Sequence, residues 1–183
     1  MLTPTAMHFN LNAIILFAAN MLLFFLCSLV NSRLAAFSLY LVLLGLMPII
    51  PALYLRFPSF LFCSALSGLF VDAGLASGIG LFTCGFPVMG TLIRSIRLRF
   101  RSGSGYRLVL LANLTNISCI ILLHFSYNLK QFFQPALWVQ LLTITLFSQI
   151  MLHLVAPWFF RFEWMLFELF NLKLQSEDEF TAP

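Results

Sequence analysis

The sequence predicts an all-α fold, a polytopic membrane helix bundle of about six transmembrane helices, and three observations carry that expectation. Of 183 residues, 61% are hydrophobic and 9% are charged, against about 45–50% and about 25% in ordinary soluble domains. Mean hydropathy is +0.99, so there are too few polar side chains to cover a globule of this size in water. The charges punctuate the chain at Arg33, Arg56, Asp72, a basic cluster from Arg94 to Arg107, Lys130, and a mixed group from Arg161 onward. This composition excludes a soluble enzyme. Six spans of about 20 residues use about 120 positions, so residues 1–183 form a single integral-membrane domain with no extramembrane unit. Function is then expected inside the bundle, on short loops or on a partner, and the expectation is binding and assembly rather than catalysis.

The first span is 11–31, an uncharged apolar run. Between Arg33 and Arg56 lie 22 uncharged residues, about 33 Å of helix against a hydrocarbon core of about 30 Å, which predicts a second span at 34–55. The middle is shorter and richer in glycine. Gly74, Gly78, Gly80, Gly85, Pro87 and Gly90 interrupt it, so two short helices fit, 58–72 and 79–93, joined by a turn at 73–78. They either cross fully or dip in and return. Pro58 suits a first helical turn, where no amide donor is lost. The fifth span is 108–128 and the sixth 136–159, opening after Pro135. Residues 161–183, with Trp164, Phe167 and Phe170 among mixed charges, read as an interfacial helix followed by a short acidic cytoplasmic tail.

Either reading of the middle puts Arg56, Arg94, Arg97, Arg99, Arg101, Arg107, Arg161 and Lys173 on the side of the N-terminus, and Arg33 and Lys130 opposite. The positive-inside rule then makes both termini cytoplasmic. A cleavable leader opens with basic residues, and residues 1–31 carry no Lys or Arg, so the first helix is expected to stay attached. The loop 94–107 alternates basic and apolar residues. Its simplest role is a topology anchor among anionic lipid headgroups, and its alternative is the docking of a cytoplasmic protein. No nucleic-acid-binding module is recognisable, so nucleic acid is not an expected partner.

In lipid, helix contacts are selected by small residues and by polar residues that bond across helices. Ser64, Ser67, Gly68, Val71 and Asp72 recur at three- and four-residue steps and form one stripe expected to face protein, with Phe60, Phe62, Leu66, Leu69 and Phe70 covering the rest. Asp72, the first acidic residue of the chain, stands beside the glycine-rich turn. Three roles fit it: a cap for the following turn, a bond to a partner helix, or a proton or ion site. Asn113, Asn116 and His124 share a face of the fifth helix, and Thr145, Ser148, Gln149 and His153 a sector of the sixth, positions suited to interhelical hydrogen bonds. Cys27, Cys63, Cys84 and Cys119 are 36, 21 and 35 positions apart, without paired-ligand spacing, and no nucleophile motif accompanies His8, His124 or His153. No metal, cofactor or catalytic residue is expected.

The run Pro51-Ala-Leu-Tyr-Leu-Arg-Phe-Pro58, then Ala65-Leu-Ser-Gly-Leu-Phe-Val-Asp72, then Gly78-Ile-Gly80, then a helix ending in Arg94 and Arg97, resembles the rod shape-determining protein MreD family. Gly68, Asp72, Gly80, Arg94 and Arg97 occupy the matching positions. The resemblance implies a bacterial inner-membrane protein of about six helices, related in fold to the substrate-binding subunits of energy-coupling-factor transporters. It also implies a non-enzymatic scaffold of the cell-elongation complex. Its partners would be an MreC-like protein directly, together with an MreB-like actin and a peptidoglycan polymerase/transpeptidase pair. On this reading the partner-binding stripe is Ser64, Ser67, Gly68, Asp72, Gly74 and Gly80. The alternative is a small-molecule, vitamin-type binding subunit of a transporter, for which Arg33, Asp72, Asn128 and Lys130 are the polar candidates on the outer side. A proton-coupled carrier depending on Asp72 is a third class.

Overall fold

The computed structural model describes residues 4–75, 80–96, 105–128 and 134–170. Among these the regular structure is entirely helical: α1 (Pro4–Leu34), a 3-10 turn (Ala35–Phe37), a second 3-10 turn (Leu44–Leu46), α2 (Ile49–Tyr54), α3 (Phe57–Gly74), α4 (Leu81–Ser95), α5 (Gly105–Asn128) and α6 (Pro135–Leu169). Four stretches, Leu11–Phe37, Phe57–Gly74, Tyr106–Ser126 and Pro135–Leu169, are long and apolar enough to cross a membrane. Their outward faces are apolar, as with Phe25, Leu26, Val139, Ile150 and Trp158, which suits lipid as the surrounding solvent. Pro58 and Pro135 each occupy the first turn of their helix, where a missing N–H costs nothing.

The expected second span at 34–55 is not one helix. After α1 the chain makes a 3-10 turn that ends at Ser38 in the left-handed region (φ 55). It then runs through an irregular stretch at 39–43 before the second 3-10 turn and the six-residue α2. Length and hydropathy fit a helix here, but Gly45, Pro48 and Pro51 oppose one: glycine weakens a helix and an interior proline breaks its ladder. Although broken, this segment is the most enclosed part of the molecule. Leu41 and every residue from Leu43 to Leu53 are buried.

Around this centre α3 and α4 form an antiparallel pair with α1 against α3, while α5 and α6 pair on the other side and α5 supports the Leu44–Leu46 turn. The core is filled by Phe60, Phe82 and Phe86 from the α3–α4 pair, Leu46, Met47, Ile49, Ile50 and Leu53 from the broken segment, and Leu152 from α6. Phe60 lies in the buried sector of α3 with Ser64, Ser67 and Val71. The sequence reading places it on the opposite side, but steps of four, three and four residues bring it onto the same face.

Where the sequence predicts an interfacial helix from residue 161, α6 continues without a break to Leu169, through Pro157. It turns Phe159, Phe160, Glu163 and Phe167 into the core, because the apolar residues keep helical spacing past the last predicted crossing.

Candidate functional site

The predicted stripe on α3 is assembled as a face, and the chain itself covers that face. A Cβ added at Gly68 would overlap the Phe82 carbonyl and lie 2.7 Å from the Thr83 nitrogen, so the glycine is what lets α3 and α4 touch backbone to backbone. Ser67 Oγ accepts a hydrogen bond from Asn20 Nδ2 on α1 at 3.1 Å. Ser64 is buried with no hydrogen-bond partner for its hydroxyl among the described residues. Gly74 meets the ring of Phe24. The stripe therefore joins α3 to α1 and α4: Ser64, Ser67, Gly68 and Asp72 are buried within the chain, while Gly74 is exposed and Gly80 half-buried.

Asp72 is the hinge of the pair. Its carboxylate accepts the backbone N–H groups of Gly80 (3.0 Å), Phe82 (2.9 Å) and Thr83 (2.9 Å) and the Thr83 hydroxyl (2.8 Å). The first N–H groups of a helix have no internal acceptor and carry the positive end of its dipole. The residue at the N-cap position is Gly80, at φ 119, with no side chain to supply one. Asp72 reaches across from the preceding helix to do so. Of the three roles read from the sequence, the cap is the one these bonds display.

The irregular segment is held by side chains from three helices. Asn31 on α1 brackets Leu41, its Oδ1 accepting the Leu41 N–H (2.7 Å) and its Nδ2 donating to the Leu41 carbonyl (2.9 Å). Ser148 on α6 accepts the Val42 N–H (3.0 Å). Asn116 on α5 donates to the Val42 carbonyl (2.8 Å) and accepts the Gly45 N–H (3.1 Å). Asn20 donates to the Met47 carbonyl at 3.3 Å. Buried peptide groups outside a helix must find partners elsewhere, and in lipid irregular backbone survives only where protein supplies them. Gly45 is required here, since a Cβ would collide with the Asn116 backbone.

Of the polar faces read from the sequence, Asn116 and Ser148 serve this clamp, and Gln149 donates to the Asn113 carbonyl across the α5–α6 interface at 3.2 Å. Asn113 and Thr145 bond within their own helices. Asn20, Asn31 and Gly45 were the residues that sequence reasoning missed. Amides inside the apolar run 11–31, which holds Asn12, Asn20 and Asn31, are the signal that marks Asn20 and Asn31.

At the other end of the bundle Arg94 donates to the Leu55 carbonyl (2.7 Å) and lies 5.7 Å from the centre of the Phe57 ring. It thereby satisfies the carbonyl that follows the end of α2. Arg107 is exposed at the start of α5, and Arg97, Arg99 and Arg101 lie outside the described residues. Glu163 is 0% exposed, and neither carboxyl oxygen has a hydrogen-bond partner among the described residues. The four cysteines are free. The described residues contain no group of three His, Cys, Asp or Glu side chains positioned for a metal ion.

Opposite Arg94 a cavity of about 560 Å³ opens between α1, residues 40–44, the end of α3, α5 and α6. Arg33 and Asp72 do not line it, and Lys130 lies outside the described residues. Its polar contributors are Ser28, Asn31, Tyr40, His124 and Gln140. No family model, curated protein or solved structure matches this chain.

Proposed function

We propose that this chain is a non-enzymatic scaffold of the bacterial cell-elongation complex, a six-pass protein of the cytoplasmic membrane with both termini inside. On this reading residues 35–55 and α4 each count as a pass. Asn31 meets Leu41 near one side of the bundle and Arg94 meets Leu55 near the other, so the chain returns between them. The fold is read as akin to that of energy-coupling-factor substrate-binding subunits.

One observation supports the assignment. The residues that carry the resemblance to the rod shape-determining MreD family operate together as one joint: Gly68 sets the approach of α3 to α4, Asp72 caps α4 across the turn at Gly80, and Arg94 ties the far end of α4 to Leu55. A fixed three-helix unit of this kind suits a scaffold, whose partners need an unchanging surface. Because Ser67, Gly68 and Asp72 are engaged internally, an MreC-like partner helix would meet the outward faces, and the basic loop from Arg94 to Arg107 would sit among anionic headgroups.

The test is recovery of an MreC-like protein with the tagged chain in mild detergent, alongside rescue of rod shape in cells lacking the gene. Co-recovery and rescue are expected. If cells lacking the gene remain rods, and the well-folded chain recovers neither an MreC-like nor an MreB-like protein, the proposal fails.

A further inference from the structure

We propose that the cavity between α1, α5 and α6 is a binding site for an uncharged, mostly apolar ring compound bearing one or two hydrogen-bonding groups. At about 560 Å³ it falls within the roughly 300–1,000 Å³ of small-molecule sites. Five separate segments of the chain converge on it, and Phe24, Ile120, Leu123, Leu141 and Ile144 give it an apolar wall. Tyr40 and His124 add ring faces, His124 itself lying 6.2 Å from Trp138 between centres. Ser28, Tyr40 and Gln140 bring polar groups to the rim, whereas the Asn31 amide is engaged at both ends by Leu41.

The charge pattern defines the ligand class. Among the described lining residues there is no Lys, Arg, Asp or Glu. Asp72, whose helix ends beside the cavity, has its carboxylate taken up by the start of α4. Among these lining residues a charged ligand would lose its hydration without gaining a counter-ion, a penalty that a neutral one escapes. The wall formed by residues 40–44 is clamped by Asn31, Asn116 and Ser148, so the site is formed before the ligand arrives and little ordering is needed on binding. This inference concerns the cavity alone and does not depend on the cell-elongation reading.

The full chain in lipid nanodiscs is photolabelled with 4-(hydroxymethyl)benzophenone, which is uncharged, and with 4-benzoylbenzoate, which has the same rings and a negative charge. Attachment is mapped by peptide mass spectrometry. The neutral probe is expected to label the segments carrying Phe24, Tyr40, Leu123 and Ile144 saturably, about tenfold above the anion. Ile144→Trp fills the cavity and is expected to cut that labelling at least fivefold with the melting temperature unchanged or raised. Gln140→Ala, on the exposed side of α6, keeps the packing and is expected to raise the half-saturating concentration about threefold. Unsaturable labelling spread equally over Val139 and Ile150, equal labelling by the anion, or a folded Ile144→Trp that labels like the wild type would each overturn the proposal.

Discussion

Replacing Asn116 by alanine is the sharpest probe of how the broken segment is held. The change removes two hydrogen bonds at once and leaves the buried Gly45 N–H and the part-buried Val42 carbonyl without that partner. A buried polar group left unpaired costs about 1–3 kcal/mol, so the loss is about 2–6 kcal/mol, with about 4 kcal/mol as the working value. Asn113→Ala, one turn away on the same helix, is the control. Among the described residues the Asn113 side chain bonds the Val109 carbonyl of its own helix, and the bond from Gln149 goes to its main-chain oxygen, which alanine retains. Its expected cost is about 0.5 kcal/mol, as for substitutions that orphan no buried group. Reversible unfolding of both variants in mixed micelles, monitored by tryptophan fluorescence, gives the difference directly. If Asn116→Ala lies within about 0.5 kcal/mol of Asn113→Ala, the amide does not hold the segment and the reasoning is wrong.

Asp72→Asn leaves one acceptor oxygen for donors that now share two and turns an NH₂ toward backbone N–H groups. Losing one or two charge-assisted bonds of about 1.5–3 kcal/mol each predicts a loss of about 2–4 kcal/mol by the same unfolding assay. Gly68→Ala forces α3 from α4 and should cost about 1–3 kcal/mol. Gly85→Ala, whose added carbon meets nothing nearer than 3.9 Å, should be neutral within about 0.5 kcal/mol, and equal melting temperatures for the two would refute the close-approach argument. Glu163→Leu removes a buried carboxyl lacking partners among the described residues and is expected to stabilise by about 1–3 kcal/mol. A clear loss of stability would mean that the carboxyl is bonded in the native protein.

Charge spacing was enough to locate α1, α5 and α6, because a helix crossing lipid excludes charges over a fixed length. It also located the α3–α4 hairpin, where glycines mark the turn, and Asp72 beside that turn pointed to a cap through local chemistry. The second segment was misread for a physical reason. Its 22 uncharged residues satisfy the length rule, while the bonds that replace its helical ladder come from Asn31 and Asn20, 10 and 27 positions away, and from Asn116 and Ser148, 71 to 106 positions away. No local periodicity records such partners. The stripe through Ser64, Gly68 and Asp72 was legible as a contact face, but its partner was not. Small residues announce close approach without saying whether the approaching helix belongs to the same chain. The cavity arises from the way α1 stands off from α5 and α6, which no single segment encodes.

The central claim is that residues 41–47, although not α-helical, are fixed inside the bundle by side-chain amides and hydroxyls. Amide hydrogen exchange in nanodiscs measures it most directly. The Leu41, Val42 and Gly45 amides are expected to exchange as slowly as those in the middle of α5, and the Val42 and Gly45 amides to speed up together in Asn116→Ala. Rapid exchange of these three amides in the wild-type protein, at the rate of an open loop, would contradict the account.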